Sequence, residues 1–191
     1  MKSPLVSIII PNWNGRAYLE TCLESLKKQT YPDFEVIVVD NGSTDGSVSF
    51  LKAKYSSFIL LIELPENTGF DYATNIGITH AKGEFIATLN NDTEADPHWL
   101  QELIKGMDYK GQVGMCASKI LFFHQRHIID KVGHLFYPDG QNRGRGCMEE
   151  DRGQYDEIEE VFFPDACAAL YRKEMLDEVG LFDEDFFAYG D

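Results

Sequence analysis

Short runs of β-favouring apolar residues alternate along the chain with stretches whose apolar positions recur at helical spacing. Leu5 to Ile10 is the first run, closed by Pro11, whose missing N–H suits a strand end. Beyond Asn14 and Gly15, the positions Tyr18, Leu19, Cys22, Leu23 and Leu26 predict an amphipathic helix to Gln29. Tyr31, Pro32 and Asp33 form a turn, Phe34 to Val39 a second strand, and Asp45 an N-cap for a helix through Phe50 and Leu51. Ile59 to Leu64 supplies a third strand; Asn67-Thr68-Gly69 leads into a helix carrying Ala73, Ile76 and Ile78. Phe85 to Leu89 is a fourth strand, and Pro97 opens a helix bearing Leu100, Leu103, Ile104 and Met107.

The pattern blurs after that point. A strand is predicted within Val113 to Phe123, a mobile loop from Pro138 to Gln154, a strand from Val161 to Phe163 and a helix from Arg172 to Val179. The glycines of GQNRGRG neither follow a strand nor open a helix, so they read as a flexible loop and not as a dinucleotide fingerprint. Alternating β and α segments predict a parallel sheet with right-handed crossovers, on which the ends of strands one, two and four share an edge. Polar clusters stand at those ends, Asp40-Asn41-Gly42 and Asn90-Asn91-Asp92-Thr93 among them. Ligands of open α/β sheets gather there.

Composition narrows the ligand. The 191 residues predict one folding unit, and 17 basic against 32 acidic residues give a net charge of −15, which argues against nucleic-acid partners. A phosphorylated ligand then implies a divalent cation held by a carboxylate. Cys22, Cys116, Cys147 and Cys167 form no CxxC pair and read as free thiols. The amino-terminal run is a first strand and not a signal peptide, and no segment approaches the roughly 20 apolar residues of a spanning helix. A soluble, cytoplasmic protein is the expectation.

Taken in order, PNWNG, VVDNGSTDGS, ENTGF, LNNDT and GLFDEDFFAYGD resemble the family 2 glycosyltransferases, and most of all their bacterial rhamnosyltransferase-like group. The resemblance spans nearly the whole chain. It implies a GT-A fold: a Rossmann-like, mostly parallel α/β sheet flanked by helices, with residues 1–110 binding the nucleotide sugar and a smaller portion, 111–191, binding the acceptor. It also implies inverting transfer from a dTDP- or UDP-sugar to a saccharide or lipid-linked saccharide, which leaves room for peripheral association with the inner face of the membrane. Carried over by motif, Pro11, Asn12 and Trp13 line the nucleotide pocket, Asp40 accepts a hydrogen bond from the base, and Ser43, Asn67, Gly69 and Asn91 continue the wall. Asp92 is the carboxylate ligand of Mg2+ or Mn2+, because Asn90 stands where many members carry the first Asp of a DxD-type motif. Asp191 matches the first acid of the terminal pair, and the residue usually assigned as general base would come next. On that alignment the chain resembles a carboxy-terminally truncated catalytic domain with little or no turnover of its own. Asp165 stands where relatives often place glycine, and is an acceptor contact.

Each assignment has a plainer rival. Asp40 is also a common turn-former, Asp92 a loop acid or helix cap, Trp13 a core aromatic and Asp165 a solvated carboxylate. His124, His127 and His134 fit no single helical face with a fourth ligand, and read as solvated loop histidines and not as a zinc site. Phe182, Phe186, Phe187 and Tyr189 serve equally as core or as a sugar platform. At the level of function the rivals are a non-catalytic nucleotide-sugar-binding module and a sugar nucleotidyltransferase; PNWNGR lacks the Gly- and Lys/Arg-rich phosphate loop of the latter.

Overall fold

The computed structural model describes residues 4–109, 111 and 113–188. In chain order its elements are β1 (Val6–Asn12), α1 (Leu19–Leu26), β2 (Phe34–Asn41), α2 (Ser47–Tyr55), β3 (Ile59–Leu64), α3 (Phe70–His80), β4 (Phe85–Leu89) and α4 (Trp99–Met107). There follow β5 (Met115–Ala117), β6 (Lys119–Phe122), β7 (Gln125–Val132), β8 (His134–Phe136), β9 (Asn142–Gly144), β10 (Ala168–Arg172) and α5 (Lys173–Val179). The main sheet runs β3-β2-β1-β4-β10-β5, with β1, β2, β3 and β4 parallel and β10 antiparallel to both of its neighbours. This is the mostly parallel α/β sheet that the alternation of elements predicts.

Side-chain alternation divides the core between two layers. Ile8, Ile10, Val36, Val38 and Ala87 pack on one face with Leu19 and Leu23 of α1, Leu51 of α2, and Leu100 and Leu103 of α4. Ile9, Ile37, Val39 and Ile86 pack on the other with Ala73 and Ile78 of α3 and Leu176 of α5. Strands covered on both faces are apolar at consecutive positions, which is why their runs stand out in the sequence.

Local chemistry sets the element ends. Pro11 does not terminate β1: the strand runs on to Asn12, paired Pro11↔Val39 and Asn12↔Asp40 with β2. Pairing with β4 ends at Ile9↔Thr88, so past that point β1 has a partner on one side only and tolerates a residue without an N–H. At α2, Asp45 Oδ1 accepts the Ser47 N–H at 3.0 Å and its hydroxyl at 2.6 Å, so the expected acid caps the helix although Gly46 takes the N-cap backbone position.

The carboxy-terminal half departs further from expectation. The single strand predicted within Val113 to Phe123 divides into β5, which joins the main sheet, and β6, which leaves it to pair with β7. The stretch from Pro138 to Gln154 holds β9, hydrogen-bonded to β8 as a hairpin. Phe163 makes one bridge, to His134, and belongs to no strand. Arg172 ends β10, an unanticipated central strand whose small residues, Ala168 and Ala169, gave little β signal. Among the described residues, no helix is long and apolar enough to cross a membrane.

Candidate functional site

One carboxamide ties three strand ends together. Asn12, last in β1, donates from Nδ2 to Asp40 Oδ2 at 2.8 Å and to Ser43 Oγ at 3.2 Å, while its Oδ1 accepts from Asn91 Nδ2 at 2.7 Å. Asp40, the last residue but one of β2, is nearly fully buried, 1% exposed, and its second oxygen accepts the Ser43 N–H at 2.9 Å. The loops after β1 and β2 are laced together as well. Asn14 N–H reaches Ser43 Oγ at 2.9 Å, Thr44 N–H reaches Asn14 Oδ1 at 2.8 Å, and Arg16 N–H reaches Asp45 Oδ2 at 2.8 Å. Gly15 completes this junction by having no side chain, since a Cβ there would lie 2.0 Å from Asn91 Nδ2 and 2.4 Å from Asn12 Oδ1. The structure therefore unites Asn12, Asp40, Ser43 and Asn91. Pro11 is half-buried beside them, and Trp13 projects with 55% of its surface exposed, so it is no core aromatic.

Asn41 forms a second amide clamp next door. Its Nδ2 donates to Asn67 Oδ1 and to the Gly69 carbonyl, both at 2.9 Å, and its Oδ1 accepts the Thr68 N–H and hydroxyl, both at 2.9 Å. Gly69 adopts a φ of +90°, and a Cβ there would stand 2.6 Å from the Phe187 carbonyl, so this position needs glycine twice over. The Phe70 N–H donates to that carbonyl at 2.8 Å. A turn further along α3, Asn75 donates to Phe182 O at 2.8 Å and to Glu184 Oε1 at 3.0 Å, and accepts the Phe182 N–H at 3.1 Å. The segment 182–187 is thus strapped across the start of α3. Phe182 packs edge-on against Phe70 and Tyr171 as core, whereas Phe186 and Phe187 are exposed. Tyr189 and Asp191 lie outside the described residues.

A cavity of about 940 Å3 opens over the ends of β4 and β10, lined among others by Asn90, Asp92, Lys131, Asp165 and Cys167. Neither Asn12 nor Asp40 lines it, so the junction and the cavity are adjoining parts of one sheet edge. Asp165 is not a solvated carboxylate. Its Oδ2 accepts from Lys131 Nζ at 2.9 Å and His134 Nε2 at 3.1 Å, and its Oδ1 takes the Cys167 N–H at 2.8 Å. Burial pushes the Asp165 carboxyl up, but Lys131, the Cys167 N–H and His134 outweigh it and hold the group below the ordinary carboxylate range. His134 is likewise no loop histidine: it stacks on Phe163 at 4.7 Å and 8°, and its Nδ1 meets Asn142 Oδ1 at 2.7 Å. Burial, with Asp165 and Asp92 nearby, pushes the Cys167 thiol up to about 12.

Asp92 is exposed at the cavity edge. Among the described residues, no three or more His, Cys, Asp or Glu side chains gather as a metal-binding group. A single outward carboxylate beside the Asn90 and Asn91 amides does fit Mg2+ or Mn2+, which keep water and take phosphate oxygens as most of their ligands.

Sequence reasoning overlooked Asn41, Gly15, Asn75 and the Lys131–His134 pair. Asn41 carried a usable signal, standing directly after Asp40 where a buried strand ends, whereas Asn75 did not stand out, because Asp71 and Thr74 make the buried side of its helix polar as well. Lys131 and His134 carried none, since their partner lies 34 and 31 residues away.

Comparison with known proteins fits this geometry. The family described as Glycosyl transferase family 2 matches residues 7–180. TuaG of Bacillus subtilis, a provisionally named teichuronic acid biosynthesis glycosyltransferase, is 30% identical over 196 residues, covering 98% of this chain and 75% of TuaG. Residues 1–349 of S. aureus TarS in complex with UDP superpose with a TM-score of 0.67 at 22% identity, over 96% of this chain and 52% of that one. The mannosyltransferase PcManGT of Pyrobaculum calidifontis, in complex with GDP-Man and Mn2+, gives a TM-score of 0.66 at 22% identity, over 96% and 49%. At such identities the structural likeness speaks to the fold, which is GT-A. The chain spans about half the length of several relatives it matches, 54% for an uncharacterized glycosyltransferase of Rickettsia prowazekii.

Proposed function

The chain belongs to glycosyltransferase family 2, and on that footing we propose that it moves a sugar, with inversion, from a nucleoside-diphosphate donor to a saccharide or lipid-linked saccharide acceptor. The observation that carries this reading is the Asn12 junction, which presents the ends of β1, β2 and β4 as one preorganised surface. Nucleotides bound by structural neighbours, UDP in one and GDP-Man in another, support a nucleotide sugar, and the motifs PNWNG and FDEDFF support a rhamnosyltransferase-like enzyme using dTDP or UDP. We divide the chain accordingly into a donor half, 1–110, and an acceptor half, 111–191.

In this reading Trp13 stacks on the base from its exposed position, and Asp40 accepts a base N–H. A carboxylate has about four lone-pair sites, and the protein occupies only some of those on Asp40. Asn12 and Ser43 fix its orientation, while Pro11, Asn67, Gly69 and Asn91 shape the wall around the nucleotide. Asp92 holds Mg2+ or Mn2+, which when bound stabilises charge on the departing diphosphate. Inversion needs one displacement: the acceptor oxygen forms its bond to the anomeric carbon as the bond to the diphosphate breaks on the opposite face. The hydroxyl proton passes to a carboxylate, which we assign to the terminal acidic region that includes Asp191. Asp165 borders the acceptor space. A lipid-linked acceptor would bring the protein to the cytoplasmic face of a membrane as a peripheral partner.

Calorimetry with UDP, dTDP and GDP, with and without Mn2+, tests the assignment. Asp40→Ala abolishes nucleotide binding in a sample that still melts cooperatively, and Asp92→Ala keeps nucleotide binding but loses its enhancement by Mn2+. A folded wild-type protein that binds no nucleotide, or an Asp40→Ala protein that binds as well as wild type, overturns it. A screen of dTDP-rhamnose, UDP-galactose and UDP-N-acetylglucosamine then identifies the donor.

A further inference from the structure

The β6–β7 hairpin carries an aromatic residue at its tip. Phe122 pairs with Gln125, so the connection is the two-residue turn Phe123-His124. Neither residue takes a positive φ, so the turn makes no call on Asn, Asp or Gly. Phe123 is 43% exposed there. Phe123 also lines the cavity beside Asp92.

The ring is held in place. The Arg126 guanidinium lies 5.1 Å over it, and the His124 ring meets its edge at 5.1 Å and 83°. Arg126 is in turn pinned to Glu94 at 2.5 Å, which spans from the hairpin to the loop that carries Asp92. An exposed phenyl held at a cavity whose lining mixes apolar side chains with carboxylates and an amide presents an apolar face near hydrogen-bond acceptors. The axial C–H face of a pyranose matches the first, and its hydroxyls match the second. Charge narrows the class. Among the described residues of this lining, Lys119, Arg126 and Lys131 are each already paired with a carboxylate, so none of the three stands free to receive an anionic sugar.

We propose that Phe123 is a specificity-determining residue of the acceptor site, a platform on which a neutral pyranose of the acceptor stacks, held in place by Arg126 and Glu94. This rests on the glycosyltransferase reading above and adds the acceptor class to it.

Saturation-transfer NMR tests the proposal with the methyl glycosides of glucose, galactose, N-acetylglucosamine and rhamnose, with glucuronic acid as the anionic comparison, and with UDP binding measured on the same samples. The expected result is binding of at least one neutral glycoside through its C–H protons, weakened about three- to tenfold by Phe123→Ala and retained by Phe123→Tyr. Glucuronic acid should show no transfer. Phe123 is exposed at a turn, so these variants should melt as wild type does. The proposal is overturned if no neutral glycoside binds while UDP does, if Phe123→Ala binds as wild type does, or if Phe123→Tyr loses as much as Phe123→Ala. Glycoside binding without UDP binding would leave the platform standing and remove the donor assignment instead.

Discussion

Gly15 leaves no room for a side chain, because the Asn12 and Asn91 amides occupy the place where a Cβ would go. Gly15→Ala should therefore force the two amides apart, cost about 1–3 kcal/mol and weaken UDP binding about tenfold, as read by thermal melting and calorimetry. Asp165 makes a different prediction. Its folded pKa lies below the ordinary carboxylate value, so its contribution to stability is complete above that value and is lost as pH falls through the lowered one. Asp165→Asn should destabilise the protein by about 1–3 kcal/mol near neutral pH, and the gap to wild type should close as pH drops below about 4 in denaturant titrations. The burial that raises the thiols of Cys22 and Cys167 to about 12 should also leave Cys147, which is exposed, as the residue alkylated before either of them. Residues were legible in the sequence where their partners are fixed by an element end: Asp40 and Asn12 both stand where a buried apolar run meets a turn. The pairing of Asp165 with Lys131 was not legible, because nothing local to Asp165 announces a partner 34 residues away.

Among the elements, the strap of residues 182–187 depends on one side chain more than on its own apolar contacts. Asn75→Ala removes the three hydrogen bonds that hold Phe182 and Glu184, and should raise hydrogen exchange and proteolytic cleavage in 181–188 while leaving the sheet protected. The parallel strands could be read in advance because burial on both faces makes them continuously apolar, as in Val36 to Val39. The rest escaped for opposite reasons. β10 opens on Ala168 and Ala169, a residue type that favours helix over strand, and β9 consists of Asn142, Arg143 and Gly144, residues that read as loop and pair only because β8 is beside them. β6 merged with β5 in the sequence because one residue, Ser118, separates them, and β7 was not anticipated at all.

For the molecule as a whole, a net charge of −15 opposes a diphosphate unless a cation intervenes. Without a divalent ion, UDP affinity should rise as salt is raised to about 0.15 M, where the screening length falls to about 8 Å, while with Mn2+ present it should fall over the same range. Calorimetry at two ionic strengths reads both signs. The overall architecture was the most legible level of all, since an alternation of strands and helices has few ways to fold, whereas the cavity depends on how the carboxy-terminal hairpins lie across the sheet, which no periodicity encodes. The Asn12 carboxamide carries one more consequence, for anyone recombining this protein with its relatives. Because a single short side chain sets the spacing of three strand ends, the loops after β1, β2 and β4 are inherited as a set: a chimaera that exchanges one of them alone leaves a donor or an acceptor unmatched at the shared amide, and only a graft that carries Asn12, the Asp40–Ser43 turn and Asn91 together preserves the spacing.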